Sequence, residues 1–454
     1  MSQNSITPNV PDSPPPYEAK GRGANSQNTT ENRYPKTIDI TRSARGYKDG
    51  MRKHFEVDTE NALSFSIWNI FKSTILQDFS ALSTPVVFNE PLSQLQRHVQ
   101  DFEYAELLNT AVDLKDSLKR MLYVAAFVCS KYASASQVYR RSFNPLLGET
   151  YEYVDPEKGY RFLAEQVNHH PPMLAVWADS PRWTCHGESA IRHTIRLQSI
   201  DVDYAGTYIL ALQLLDGTEE MYTWKKPVMS VKMPLVAGSP TIEQYGPINI
   251  KNWTTGEVCT VDGFKVAAGS EVHGKIVSRD GKPSGELVGH WNEKFCGTIF
   301  PPTDMQILRD LDKTDDANCK GLDSGCLFPI WESSRHQAKH DQYLTPFLIG
   351  LNDLPDTLRA FLPPTDSRLR PDQRALENGQ HELADAEKKR VEEQQRKRQR
   401  RREEDGLIYT PRWFRRKNCE VTGEEYWEFD DRYWRVREGN DEGRWKDVEE
   451  IFRS

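Results

Sequence analysis

Cysteine gives this chain little to build with: Cys129, Cys185, Cys259, Cys296, Cys319, Cys326 and Cys419 form no Cys-x-x-Cys pair. That spacing argues against a zinc ribbon and a disulfide framework, and an odd, scattered set fits a reducing compartment. Long apolar runs are missing too. The longest, Met121–Cys129, falls far short of the roughly 20 residues a membrane-spanning helix needs. Residues 1–20 are polar and Pro-rich, unlike a signal peptide. Catalytic patterns are equally scarce. The chain has no His-Glu-x-x-His, no Gly-x-Ser-x-Gly, no P-loop and no dinucleotide fingerprint. Partners for a His-based metal site are not evident. Apolar residues make up 37% of the 454, low for a chain packed throughout, so part of it is expected to be disordered or highly charged. A net charge of −8 argues against nucleic acid as a partner. The expectation is a cytoplasmic, non-enzymatic protein without metal or cofactor, meeting membranes only peripherally.

What is present changes character along the chain. Residues 1–60 are Pro-, Ser- and Asn-rich with few apolar groups, and read as a disordered tail. Within it Pro14-Pro15-Pro16-Tyr17 matches the pattern read by WW domains, or is simply part of a Pro-rich tail. From Ser64, the residues Trp68, Phe71, Ile75 and Phe79 recur at helical spacing, as a first core helix or as an amphipathic flap over a ligand. After a loop at Asn89-Glu90-Pro91, residues 92–135 read as helical. Asp101-Phe102-Glu103-Tyr104-Ala105 faintly resembles an acidic membrane-contact motif, but inside an amphipathic helix it reads as core. Between residues 140 and 300 the period becomes two, in Thr207–Leu215, Met221–Val231, Thr241–Ile250, Val258–Ala267 and Val272–Val277. Turns such as Asp216-Gly217 separate these runs, as in an antiparallel sheet curled into a barrel large enough to hold a cavity. Residues 304–326 read as an acidic surface loop and 370–404 as helix. Nine of the fifteen residues Lys388–Arg402 are Lys or Arg. The aromatic tail, with Trp413, Phe414, Trp427, Tyr433, Trp434 and Trp445, is expected to pack on the main body.

Three constellations can carry chemistry. In Glu165-Gln166-Val167-Asn168-His169-His170-Pro171-Pro172 the prolines interrupt a strand, so two imidazoles that would point to opposite faces can turn to one spot and meet an anion. The bland reading is a histidine pair beside a turn. Arg141 and Asn144-Pro145-Leu146-Leu147-Gly148-Glu149 offer a cationic fork, amide donors and a glycine permitting close backbone approach, or merely a helix-to-strand turn. Lys388, Glu392 and Arg396 lie four residues apart on one helical face, with about 40° of drift per step. They form either a solvated, salt-bridged face or one wall of an anion site.

The octapeptide ending in Pro172 resembles the fingerprint of the oxysterol-binding-protein-related family, whose usual form has serine at the place of Asn168. Pro85–Ser93, Phe143–Thr150, Tyr222–Lys226 and Thr365–Asp372 resemble further family blocks in family order, and the Asn89-Glu90-Pro91 block is most similar to the founding branch. The resemblance runs from Ser64 to the C-terminus. It implies an α+β fold: an incomplete antiparallel β-barrel enclosing a lipid tunnel, with an N-terminal lid (residues 64–84), a helical N-terminal subdomain (90–138), the barrel (140–300) and a helical, aromatic C-terminal subdomain (301–454), all within 61–454. It also implies exchange of phosphatidylinositol 4-phosphate for sterol between membranes. The alternatives are phosphatidylserine as second lipid, or a lipid sensor or scaffold acting through partners; a hydrolase ranks last for want of a nucleophile. By resemblance His169 and His170 contact the 4-phosphate, Asn144 and the Lys388–Glu392–Arg396 triad complete the headgroup site, and Arg141 stands where members often carry lysine. Trp68, Phe71 and Ile75 fall in the lid. The physics is compatible. A phosphomonoester with nearly two negative charges needs several donors and cations, and burying some twenty ligand carbons is worth on the order of 15 kcal/mol. About sixty residues precede the lid, too few for a pleckstrin-homology module of ~100 residues, so a short form without one is expected.

Overall fold

Period-two patterning, read between residues 140 and 300, produces one meander, in which each straight or bent strand pairs with the next in sequence. In the computed structural model the described residues are 38–47, 52, 86, 89–134, 141–196, 199–232, 241–263, 271–300, 327–334, 344–440 and 443–453. Pro14–Tyr17, the lid with Trp68, Phe71 and Ile75, and the acidic loop 304–326 lie outside them. From Ile38 the chain is one compact unit.

A short strand, β1 (Asn89–Ser93), runs parallel to β2 (Arg141–Phe143). The Asn89–Pro91 segment is therefore a strand, not a loop; Pro91 holds the residue before it extended. Ser93 then ends β1 and caps the first of the N-terminal helices: its side chain accepts from Gln96 N–H while the Gln96 side chain returns to Ser93 N–H. Helices α1 (Gln94–Val99), α2 (Glu106–Asp113) and α3 (Ser117–Ser130) follow. Most of α3 is buried, and it lies against the late strands of the sheet.

The meander begins with β3 (Thr150–Asp155), β4 (Tyr160–His169), β5 (Pro172–Asp179) and β6 (Trp183–Ile195). Three bent strands come next, each in two halves. They are β7 (Ser199–Ala205) with β8 (Thr207–Gln213), β9 (Glu219–Lys225) with β10 (Val228–Lys232), and β11 (Thr241–Tyr245) with β12 (Ile248–Asn252). The bends fall at Gly206, Pro227 and Gly246-Pro247, where the ladder loses a donor or needs a conformation other residues resist. At Gly206 (φ 146°) a Cβ would stand 2.1 Å from the Glu188 carbonyl oxygen. The runs Met221–Val231 and Thr241–Ile250 are thus each broken in the middle. The sheet closes its course with β13 (Val258–Asp262), β14 (Glu271–Val277), β15 (Pro283–His290), β16 (Lys294–Ile299) and β17 (Phe328–Glu332). The meander therefore continues past residue 300. Among the described residues β3 and β17 share no ladder, so the barrel is incomplete; the edge of β3 is met instead by a single parallel bridge from Thr150 to Asp366.

One apolar core fills the space between the N-terminal helices and the sheet, with Phe102, Phe127, Phe162 and Trp183 at its centre. Phe102 is 1% exposed, so the Asp101–Ala105 segment is core. A cavity beside it is lined by Asp101, Lys131, Cys185, Tyr208 and Trp224 as well as Phe127. A second core forms on the outer face of β4 and β5. There Leu163, Val167 and Ala175 meet Trp413, Phe414, Phe429, Tyr433 and Trp434 from the tail. Helices α4 (Pro371–Glu377) and α5 (His381–Glu404) are separated by Asn378-Gly379-Gln380.

Candidate functional site

The two histidines stand at the β4–β5 turn. A register shift between Gln166 and Asn168 precedes it, His169 pairs with Pro172, and the Asn168 amide donates to the His170 carbonyl at 3.2 Å. The imidazoles meet edge to face with centroids 4.6 Å apart. They face a common region, His170 exposed and His169 half-buried.

The loop Asn144–Glu149 is held beneath them by charged groups that the motif reading did not single out. Arg370 is buried, donates to the Asn144 carbonyl at 2.8 Å and to Glu149 Oε2 at 2.9 Å, and pairs with Asp372 at 2.9 Å. Glu149 in turn accepts from Leu146 N–H at 2.9 Å and from the Ser367 hydroxyl at 2.6 Å. A fully buried carboxylate and guanidinium satisfied in this way form a rigid base rather than a solvated pair. Asn144 is fixed through its backbone, which leaves the orientation of the loop independent of its side chain. Gly148 takes φ 80°, and a Cβ there would come within 2.8 Å of the Tyr409 hydroxyl. Arg141, at the start of β2, is half-buried, its carbonyl accepting from Asn89 Nδ2 at 3.0 Å.

Helix α5 closes the third side. Lys388 is 6% exposed, Glu392 half-buried and Arg396 exposed, the gradient that a drift of about 40° per four residues produces. Lys388 Nζ lies 3.8 Å from Glu392 Oε1. Among the described residues Arg396 makes no ion pair, so on this face Glu392 pairs with Lys388 and not with Arg396. Burial pushes the Lys388 ammonium below its ordinary pKa; Glu392 opposes this, while Arg141 and Arg370 add to it.

The residue that joins the three parts is Gln395, which the charge pattern gave no reason to select. Its side-chain oxygen accepts from Leu147 N–H at 2.9 Å, and its Nε2 contacts His169 Nε2. With the amide oriented by Leu147, Gln395 is the donor and His169 Nε2 the acceptor, so the neutral ring carries its proton on Nδ1. That Nδ1 is buried and, among the described residues, has no partner. Burial, then His170, Arg370 and Arg402, hold His169 down at a pKa of about 4. The result is a neutral ring with a spare donor, within the field of Arg370 and Arg402, an arrangement suited to an anion. Among the described residues no group of His, Cys, Asp and Glu could hold a metal ion.

The oxysterol-binding protein family model matches residues 66–438. The chain is 41% identical over 416 residues to oxysterol-binding protein homolog 2 of Saccharomyces cerevisiae, covering 90% of this chain and 32% of that protein. It is 36% identical over 413 residues to oxysterol-binding protein-related protein 1C of Arabidopsis thaliana, covering 88% and 47%. It thus spans about a third to a half of the length of these relatives. The structure superimposes on the Osh1 ORD domain in complex with ergosterol with a TM-score of 0.79 at 38% identity, over 87% of this chain and 93% of that one. It also matches the Osh3 ORD of Saccharomyces cerevisiae in complex with PI(4)P, with a TM-score of 0.66 at 25% identity, over 85% and 95%. With a family model spanning most of its length and an incomplete barrel of the same architecture, the chain belongs to the oxysterol-binding protein family.

Proposed function

We propose that the chain carries lipid between membranes, binding the phosphatidylinositol 4-phosphate headgroup at the His169 site and sterol in the barrel, and exchanging one for the other. The observation that carries this reading is the Gln395 bridge. It ties the histidine turn, the Asn144–Glu149 loop and α5 into one unit and leaves His169 Nδ1 as an unused donor. In this reading His169 and His170 bind the 4-phosphate, Arg141 and Lys388 supply charge, and Glu392 positions Lys388. Asn144 and Arg396 complete the headgroup site. The exposed Arg396 contributes least until a ligand arrives. A sterol complex and a PI(4)P complex among the structural neighbours support both ligand classes.

Transfer between liposomes tests the proposal. Purified protein is expected to move labelled phosphatidylinositol 4-phosphate and a fluorescent sterol in opposite directions. The double variant His169→Ala, His170→Ala should lose phosphoinositide movement while still extracting sterol. Unchanged phosphoinositide transfer by that variant overturns the site; movement of phosphatidylserine in place of sterol reassigns the second ligand.

A further inference from the structure

Helix α5 ends in a way that pushes two large apolar side chains into solvent beside the headgroup site. Gly406 adopts φ 65°, its N–H bonds the Glu403 carbonyl at 3.2 Å, and Leu407 N–H bonds the Arg402 carbonyl at 2.8 Å. This is the Schellman arrangement, in which the residue at the place of Leu407 ordinarily packs on an apolar side chain at the place of Arg402. Here that partner is a guanidinium, which lies instead over the Tyr409 ring at 5.8 Å. Leu407 is left 62% exposed and Ile408 92%. Immediately afterwards the chain is pinned: the Tyr409 hydroxyl and the backbone N–H groups of Arg412 and Trp413 all donate to buried Glu165, at 3.1, 2.8 and 3.0 Å. The Leu-Ile pair is therefore held outward between two fixed points.

Scattered exposed apolar residues need no explanation, but this pair has a charged setting. Residues 396–412 contain seven Lys or Arg against three carboxylates, in a chain of net charge −8. Arg396, Lys397, Arg400, Arg401 and Arg412 are exposed. Two side chains are far too few for a protein interface, which needs about 1,000 Å² of buried surface. A lipid surface accepts such a point contact: the apolar pair enters the acyl boundary and the arginines meet anionic headgroups. We propose that Leu407 and Ile408 form a membrane-inserting tip that seats the mouth of the His169 site on an anionic bilayer. Only the purpose of this docking rests on the lipid-transfer reading; the docking itself does not.

Flotation with phosphatidylcholine vesicles, with and without phosphatidylserine and free of phosphoinositide and sterol, tests it. Wild-type protein should float only with phosphatidylserine present. Leu407→Asp with Ile408→Asp should reduce partitioning by about tenfold or more, with an unchanged melting temperature because both side chains are exposed. Leu215→Asp, at a leucine 71% exposed in the β8–β9 turn, should float as wild type. So should His169→Ala with His170→Ala, which separates docking from headgroup capture. Failure of the wild type to float, normal flotation of the Leu407/Ile408 variant, or an equal loss from Leu215→Asp overturns the proposal.

Discussion

The side-chain amide of Gln395 holds the His169 ring by Nε2 while its oxygen takes the Leu147 backbone N–H at 2.9 Å. A single residue thus sets a tautomer on one element and a loop position on another. Gln395→Ala removes the partner of two half-buried groups, and is expected to cost about 1–2 kcal/mol of stability. It should also weaken phosphoinositide binding, because the ring loses its orientation. Gln395→Glu is the more informative change. It preserves the acceptor for Leu147 but turns an oxygen toward Nε2, which must then carry a proton, so His169 should rise from about 4 toward the ordinary histidine range. Ring resonances followed against pH report this directly; a His169 that still titrates near 4 in Gln395→Glu contradicts the assigned network.

The low pKa of His169 also fixes the sign of the pH dependence. In the unliganded fold the neutral ring is favoured relative to the unfolded chain. The associated stability is therefore present above the unfolded value of about 6.5 and is lost as pH falls from there toward 4. His98, buried, and His186, half-buried, are held at about 3 chiefly by desolvation and act in the same direction. Glu165, raised to about 7, and Asp366, raised to about 6, act the other way in this window, but three histidines outweigh two carboxyls, so melting temperature should fall on acidification from pH 7 to 5. Ligand binding reverses the local sign, because a dianionic phosphate favours protonated His169. Binding of phosphatidylinositol 4-phosphate should therefore raise the His169 pKa from about 4, and between pH 7 and 8, above the second phosphate pKa near 6, should release no protons. Calorimetry in buffers of different ionisation enthalpy measures the number, and proton release on binding contradicts the proposed contact.

The contiguous parts of this site were legible in the sequence, and the joining parts were not. Two histidines before two prolines, and cations every four residues, announce themselves within a few positions. Gln395 does not: it sits in a Glu-Glu-Gln-Gln run and acquires its role only by meeting a histidine 226 positions earlier. Arg370 was hidden for a different reason. In Asp366-Ser367-Arg368-Leu369-Arg370-Pro371-Asp372 the charges look like a solvated turn, yet Arg368 and Arg370 are each 1% exposed because carboxylates two residues away neutralise them locally. The barrel was visible as alternation, but its bent strands were read as continuous because hydrophobic period persists across Pro227 and Gly246-Pro247 while the ladder changes partner.

Lys388 and Arg396 should separate binding from stability. Lys388 is buried at a cost, as its lowered pKa records, and its contact with Glu392 is long at 3.8 Å. Lys388→Met removes that desolvation cost and leaves Glu392 half-solvated, so melting temperature should hold or rise while phosphoinositide affinity falls by about tenfold or more. Arg396→Gln, at an exposed position, should leave stability unchanged and weaken binding by a smaller factor. Paired thermal melts and liposome extraction decide between this and a purely structural role, in which Lys388→Met would destabilise the protein.

Glu165 opens the same octapeptide as the histidines and does a different job on the other face of β4. Burial pushes its carboxyl up to about 7, against the three donors from Tyr409, Arg412 and Trp413. Glu165→Ala leaves the N–H groups of Arg412 and Trp413 without their acceptor, a loss of about 2–4 kcal/mol. Glu165→Gln keeps one acceptor oxygen and should recover part of it. Because this carboxyl is what pins the chain after Ile408, its loss should also loosen the segment: trypsin should cut after Arg412 faster in Glu165→Ala than in the wild type at matched temperature, before global unfolding in urea. Cleavage at the wild-type rate would mean that the aromatic core around Trp413, rather than Glu165, holds this segment against β4.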